Sequence, residues 1–151
     1  MRLLGVLLAL GIAAAPLVTH AQQSSVIVVI NGEHIHFKPP PIVRSGRVFV
    51  PLRGVFERLG ATVNYANRHI DARGRGRTVS LTIDSPNAMV NGKPEIIDVP
   101  PFIVDQYTFV PLRFVSQSMG ASVNWNENSY TVTIIALPVG RHGGLVPPRT
   151  R

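Results

Sequence analysis

The chain has 151 residues, an apolar share of 45%, and 13 each of Gly and Pro, which suits one small domain with a real core, many turns and little long helix. It has no cysteine, and this excludes disulfide scaffolds, thiolate zinc sites and thiol nucleophiles. The formal charge is +7, and the excess is local: after Arg2 it lies in the arginines of Arg68–Arg77 and in the C-terminal Arg141, Arg149 and Arg151, while the rest of the chain is balanced.

Met1-Arg2, the apolar run Leu3 to Ala15 and the small residues around Thr19-His20-Ala21 have the layout of a secretory signal over residues 1–21. The run is short for a span of about 20 residues, and Pro16 interrupts its end, which disfavours a retained anchor. The mature chain is expected to begin near Gln22, with no transmembrane segment after cleavage. A secreted, periplasmic or envelope-associated location follows.

Val26 to Ile30 is a β-branched run, hence a strand. Asn31-Gly32 then signals a tight hairpin turn, because both residues tolerate positive φ. His34-Ile35-His36-Phe37 alternates and reads as the returning strand. Pro39-Pro40-Pro41 enforces an extended connection. Phe49-Val50 leads into a helix, with Pro51 suited to its first position. Leu52, Val55, Phe56 and Leu59 make one apolar face of about three turns, and Gly60 stands where a left-handed C-terminal cap belongs. Ala61 to Tyr65 and Thr78 to Ile83 read as further strands. Between them lies the basic stretch Arg68 to Arg77, read as a flexible, Gly-rich insertion.

The same order then recurs 60 positions later. Asn31 to Tyr65 and Asn91 to Trp125 align without a gap and share 14 identities in 35 positions, including Val50-Pro51-Leu52-Arg53 with Val110-Pro111-Leu112-Arg113. Ordinary composition gives roughly two or three such identities by chance. The chain therefore holds an internal repeat, over about 26–83 and 87–134. The second copy has hairpin strands around Asn91-Gly92, a helix with Leu112, Val115 and Met119 inward, and Gly120 as its cap. It closes with a hairpin around Asn126-Glu127-Asn128 and the strand Tyr130 to Ile134. Residues 22–136 form one α+β domain in this reading, and 137–151 a disordered basic tail.

Asn-Gly after a strand, Phe-Val-Pro-Leu-Arg, Gly-Ala-x-Val-x-Trp and Thr-Val-Thr-Ile together resemble the copper amine oxidase N-terminal-like domain family, also called stalk domains. The resemblance covers roughly Val26 to Ala136. It implies a twisted antiparallel sheet packed on two short helices, and bacterial export. It also implies an appendage without a catalytic role of its own, since the oxidases' copper and quinone belong to a large domain that has no counterpart here. Asn126 follows Trp125 where the family commonly has an acid.

Candidate ligand-binding residues are Arg53, Arg113, Tyr65, Trp125, Arg68, Arg73, Arg75 and Arg77. Arg53 and Arg113 stand in the first turn of each helix, where the dipole disfavours a cation. A hydrogen bond or ion pair to strand carbonyls or to an acid such as Asp98 or Glu95, or an anionic ligand, would account for both. Tyr65 and Trp125 are equivalent positions, placed in the core with polar tips at its edge, or alternatively exposed to stack on sugar rings. His34 and His36 share a strand face and are remote metal candidates, needing His69 or Glu33 to converge on them. No nucleophile motif, glycosidase acid pair or phosphate-cradling Gly motif is present, so no enzyme and no cofactor are expected.

The expected function is a secreted, non-catalytic binding or structural module of the cell envelope. Its partner would be a wall polymer, another anionic extracellular polymer or an exported protein. Nucleic acid is not expected, because no aromatic platform adjoins the Arg-Gly run. An accessory subunit or inhibitor of an extracellular enzyme is the alternative, and a periplasmic metal-binding protein a remote third.

Overall fold

Short β-branched runs separated by turn pairs cannot build long elements, and the computed structural model, which describes residues 25–136, has thirteen short strands and two short helices. The expected signal segment and basic tail lie outside the described residues. In order these are β1 (Ile27–Ile30), β2 (Glu33–Ile35), β3 (Ile42–Arg44), β4 (Arg47–Pro51), α1 (Leu52–Arg58), β5 (Thr62–Ala66), β6 (His69–Gly74) and β7 (Arg77–Thr82). Then come β8 (Asn87–Val90), β9 (Lys93–Ile96), β10 (Phe102–Val104), β11 (Tyr107–Pro111), α2 (Leu112–Ser118), β12 (Ser122–Asn126) and β13 (Thr131–Ile135).

The fold is α+β and almost wholly antiparallel, but the strands form three sheets rather than the single one expected: β12-β13-β1-β2, β10-β11-β4-β3 and β5-β6-β7-β8-β9. The exception is β1 with β13, which are parallel, Val28 facing Val132. The middle sheet is joined at β4 and β11, where Val50 faces Val110, Phe49 faces Pro111 and Pro51 faces Phe109.

Two-residue turns set the hairpins. Asn31 and Gly32 have φ of 51° and 85°, and Asn91 and Gly92 have 51° and 76°, the geometry whose twist matches paired strands. Each Asn also ties in a neighbouring strand end. Asn31 Oδ1 accepts the Ala136 N–H at 2.8 Å, and Asn91 Oδ1 accepts the Thr78 N–H at 3.0 Å. The sequence reading missed β3 and β10. Their turns, Ser45-Gly46 and Asp105-Gln106, have the same positive φ pairs, and Ser-Gly was the available signal.

Each helix has seven residues, about two turns rather than three. Pro51 and Pro111 end the preceding strands and occupy the N-cap, one place earlier than expected. Leu52, Val55, Phe56 and Leu59 are buried, as are Leu112, Val115 and Met119. Helices this short do not stand alone; burial of these faces against the sheets holds them. Both end alike. The Gly60 N–H donates to Glu57 O and the Ala61 N–H to Phe56 O, while Gly120 and Ala121 donate to Gln117 and Ser116. With φ of 73° and 81° at the glycines, these are Schellman caps.

The stretch Arg68–Arg77 is not a flexible loop. It forms the β6–β7 hairpin, which sits inside the five-stranded sheet, with Ile70 and Ala72 buried. The alternation Ile70-Asp71-Ala72 carried that information, masked by the glycines and arginines around it. The hairpin tip is fitted to both helix ends. A Cβ on Gly74 would stand 2.6 Å from Ala61 Cα and Gly60 O, and one on Gly120 would stand 2.8 Å from Arg77 Nε.

Candidate functional site

Two grooves open on the described surface, of about 530 and 570 Å³. They are lined by corresponding positions. The larger takes His36, Phe37 and Lys38 after β2, Pro51 to Gly54 at the start of α1, Tyr65 on β5, and Gln106 to Thr108 at the β10–β11 turn. The smaller takes Ile96, Ile97 and Asp98, Pro111 to Phe114, Trp125, and Gly46 to Val48 at the β3–β4 turn. Each set stands 60 positions from its counterpart. Each groove has walls from both halves of the chain.

The structure thus brings together Arg53 with Tyr65, and Arg113 with Trp125. Both arginines are exposed. Among the described residues neither pairs with Asp98 or Glu95, and Asp98 accepts instead from Arg47 at 2.8 Å. The aromatic pair also departs from expectation. Trp125 is half-buried against the core and meets Tyr130 edge-on, with ring centroids 5.8 Å apart. Tyr65 is 38% exposed.

The walls compensate between grooves. In the Tyr65 groove the Phe37 ring lies so close over Gly54 that a Cβ there would stand 2.9 Å from it. In the Trp125 groove Ile97 replaces Phe37 and Phe114 replaces Gly54. One aromatic ring is kept, carried by the opposite wall.

Electrostatically the two differ. The Trp125 groove holds the Arg47–Asp98 pair, Arg113 and Glu127, a balanced set. The Tyr65 groove holds Arg53, Lys38 and Arg58 against Glu57, and Arg58 is engaged with Glu33 at 3.0 Å. Among the described residues no acid pairs with Arg53 or Lys38. Tyr107, Lys38 and Tyr130 line these grooves and were not singled out from the sequence, and His36 only as a metal candidate; only the fold brings the β10–β11 turn to Tyr65.

The other candidates lie elsewhere. Arg68 pairs with Asp84. Arg77 rests against Gly120, where a cation faces the carbonyl end of α2 favourably. Arg73 and Arg75 line neither groove. His34 and His36 are exposed on one face, but Glu33 is bound to Arg58, and His69 lies in another sheet at 3.0 Å from Thr82 Oγ1. Among the described residues no three His, Asp or Glu side chains gather as a metal would require, and no helix is long and apolar enough to cross a membrane.

The model of the copper amine oxidase N-terminal domain matches residues 29–134, the span that builds both grooves. The chain belongs to this family. The copper amine oxidase N-terminal domain is non-catalytic in itself, a stalk-type module, and its matched span reaches from β1 to β13. Comparison with curated proteins gave no match.

Proposed function

We propose that this chain is an exported, non-enzymatic binding module of the cell envelope, holding an extracellular polymer in its two grooves. One observation carries the reading: an exposed arginine beside an aromatic ring, twice, in grooves lined by corresponding positions. Arg and Tyr or Trp present a donor fork and a flat apolar face, which together suit a ring bearing polar substituents. Two such grooves in one domain suit a repeating ligand, because binding at one raises the effective concentration at the other. The facing of Val50 with Val110 supports reading the domain as two half-motifs about a pseudo-twofold axis. The N-terminal Leu3 to Ala15 run supports export.

Co-sedimentation with isolated envelope material tests this. The full chain is expected to sediment, and the Arg53→Ala/Arg113→Ala variant to bind at least about tenfold more weakly, each arginine contributing a charge-assisted hydrogen bond. Full binding by that variant sinks the groove assignment. A protein partner is the second reading, favoured by Val43 and Ile96, 56% and 70% exposed on the rim of the Trp125 groove. Binding that persists from low to high salt would favour it, since contacts to a polyanion weaken with salt.

A further inference from the structure

Resting on that reading, we infer that the two grooves have diverged, and that the Tyr65 groove takes the anionic sugar units of the polymer while the Trp125 groove takes its uncharged units. The reason lies at one pair of corresponding positions. In the Trp125 groove Arg47 and Asp98 close on each other at 2.8 Å. The positions 60 away are Tyr107 and Lys38. The Tyr65 groove therefore has a ring where its counterpart has a cation, and an ammonium where its counterpart has an acid. Lys38 is exposed, and no described acid pairs with it.

The consequences follow from chemistry. Lys38 and Arg53 line the same groove and offer donors to a carboxylate or a phosphate. Tyr65 and Tyr107, 38% and 51% exposed, offer two apolar faces from different sheets to the C–H face of a pyranose. Glu57 adds an acceptor for ring hydroxyls. At the matching place the Trp125 groove has Gln117. An uncharged sugar would offer Lys38 and Arg53 only neutral hydroxyl acceptors, which bond a cation more weakly than a carboxylate or phosphate does, and an anion without a ring would leave the tyrosines uncovered. The ligand that uses all of these groups is a sugar ring carrying negative charge. The charge can be a uronate carboxylate or a sugar-linked phosphate.

The test uses the full chain with three probes at low salt: a galacturonate hexamer, a poly(glucosyl phosphate) oligomer and the neutral maltohexaose. Ring shifts of Tyr65 and Tyr107 in NMR report the Tyr65 groove. Trp125, the one tryptophan of the chain, reports the other by its emission. One or both anionic probes should shift the Tyr65 and Tyr107 signals and bind at least about tenfold more tightly than maltohexaose, and which of the two does so identifies the anion. Trp125 emission should stay unchanged with the anionic probes. Lys38→Gln and Arg53→Gln, both at exposed positions, should each weaken the anionic probe about tenfold and weaken maltohexaose by a clearly smaller factor. Equal binding of charged and neutral probes overturns the inference, as does an anionic probe read by Trp125 rather than by the tyrosines. If the chain sediments with envelope material while the probes fail in this way, the envelope reading stands and the divergence falls. If the anionic probe binds as described but envelope material does not, the divergence stands and the envelope reading falls.

Discussion

Ser116 stands 60 positions after Phe56 and is fully buried, yet among the described residues its Oγ has no hydrogen-bond partner. A buried hydroxyl without a partner costs its desolvation, and Ala is also the better helix former. Ser116→Ala should therefore raise the unfolding free energy by about 1 kcal/mol, read as a higher midpoint in thermal or urea denaturation. A lower midpoint would mean that the hydroxyl has a role the described contacts do not explain. At this scale the sequence was informative where one face decides the residue. The apolar spacing of α1 named Leu52, Val55, Phe56 and Leu59 correctly, because burial and period agree. It named Arg53 and Arg113 but not their surroundings, because the side chains are exposed and part of each groove wall comes from the other half of the chain.

At the scale of elements the β6–β7 hairpin departs furthest from expectation. Its glycines and arginines read as a solvated loop, but Gly74 is a fitting point against the end of α1 and Arg77 against the end of α2. Gly74→Ala should destabilise the chain by about 1–3 kcal/mol, because the new methyl meets backbone that can move only with the whole helix cap. The check is the shift in denaturation midpoint relative to Ser129→Ala, a substitution on an exposed turn. A shift no larger than that of Ser129→Ala would show the contact to be soft. Strands whose turns carry Asn-Gly were legible, since that pair reports positive φ directly. β10 was not, since Asp105-Gln106 reaches the same conformation with residues that rarely signal it.

Across the whole molecule, pairing interleaves the two halves of the chain. The first hairpin, β1–β2, completes the sheet of β12 and β13, and β5 to β7 complete the sheet of β8 and β9. Each sheet draws strands from both halves, joined at β1–β13, β4–β11 and β7–β8. A chain of residues 25–84 should be unfolded by circular dichroism, and the intact chain should unfold in one cooperative step by both fluorescence and circular dichroism. An independently folded half would contradict the interleaved account. This connectivity could not be read from the repeat, which records that two copies exist but not which strands of each meet. The grooves were hidden for the same reason: each needs one wall from either copy.

The central claim is that these corresponding grooves are the binding surface. Trp125, the one tryptophan of the chain, lines one of them half-buried, so its emission reports that groove without a label. The most direct measurement is a titration of the full chain with solubilised envelope polymer, followed at Trp125 and repeated with Arg113→Gln. The account predicts a saturable change in emission whose midpoint moves to about tenfold higher polymer concentration in the variant. Binding that sediments the chain while leaving Trp125 emission unmoved, and the variant indistinguishable, would place the working surface outside the Trp125 groove and contradict the account.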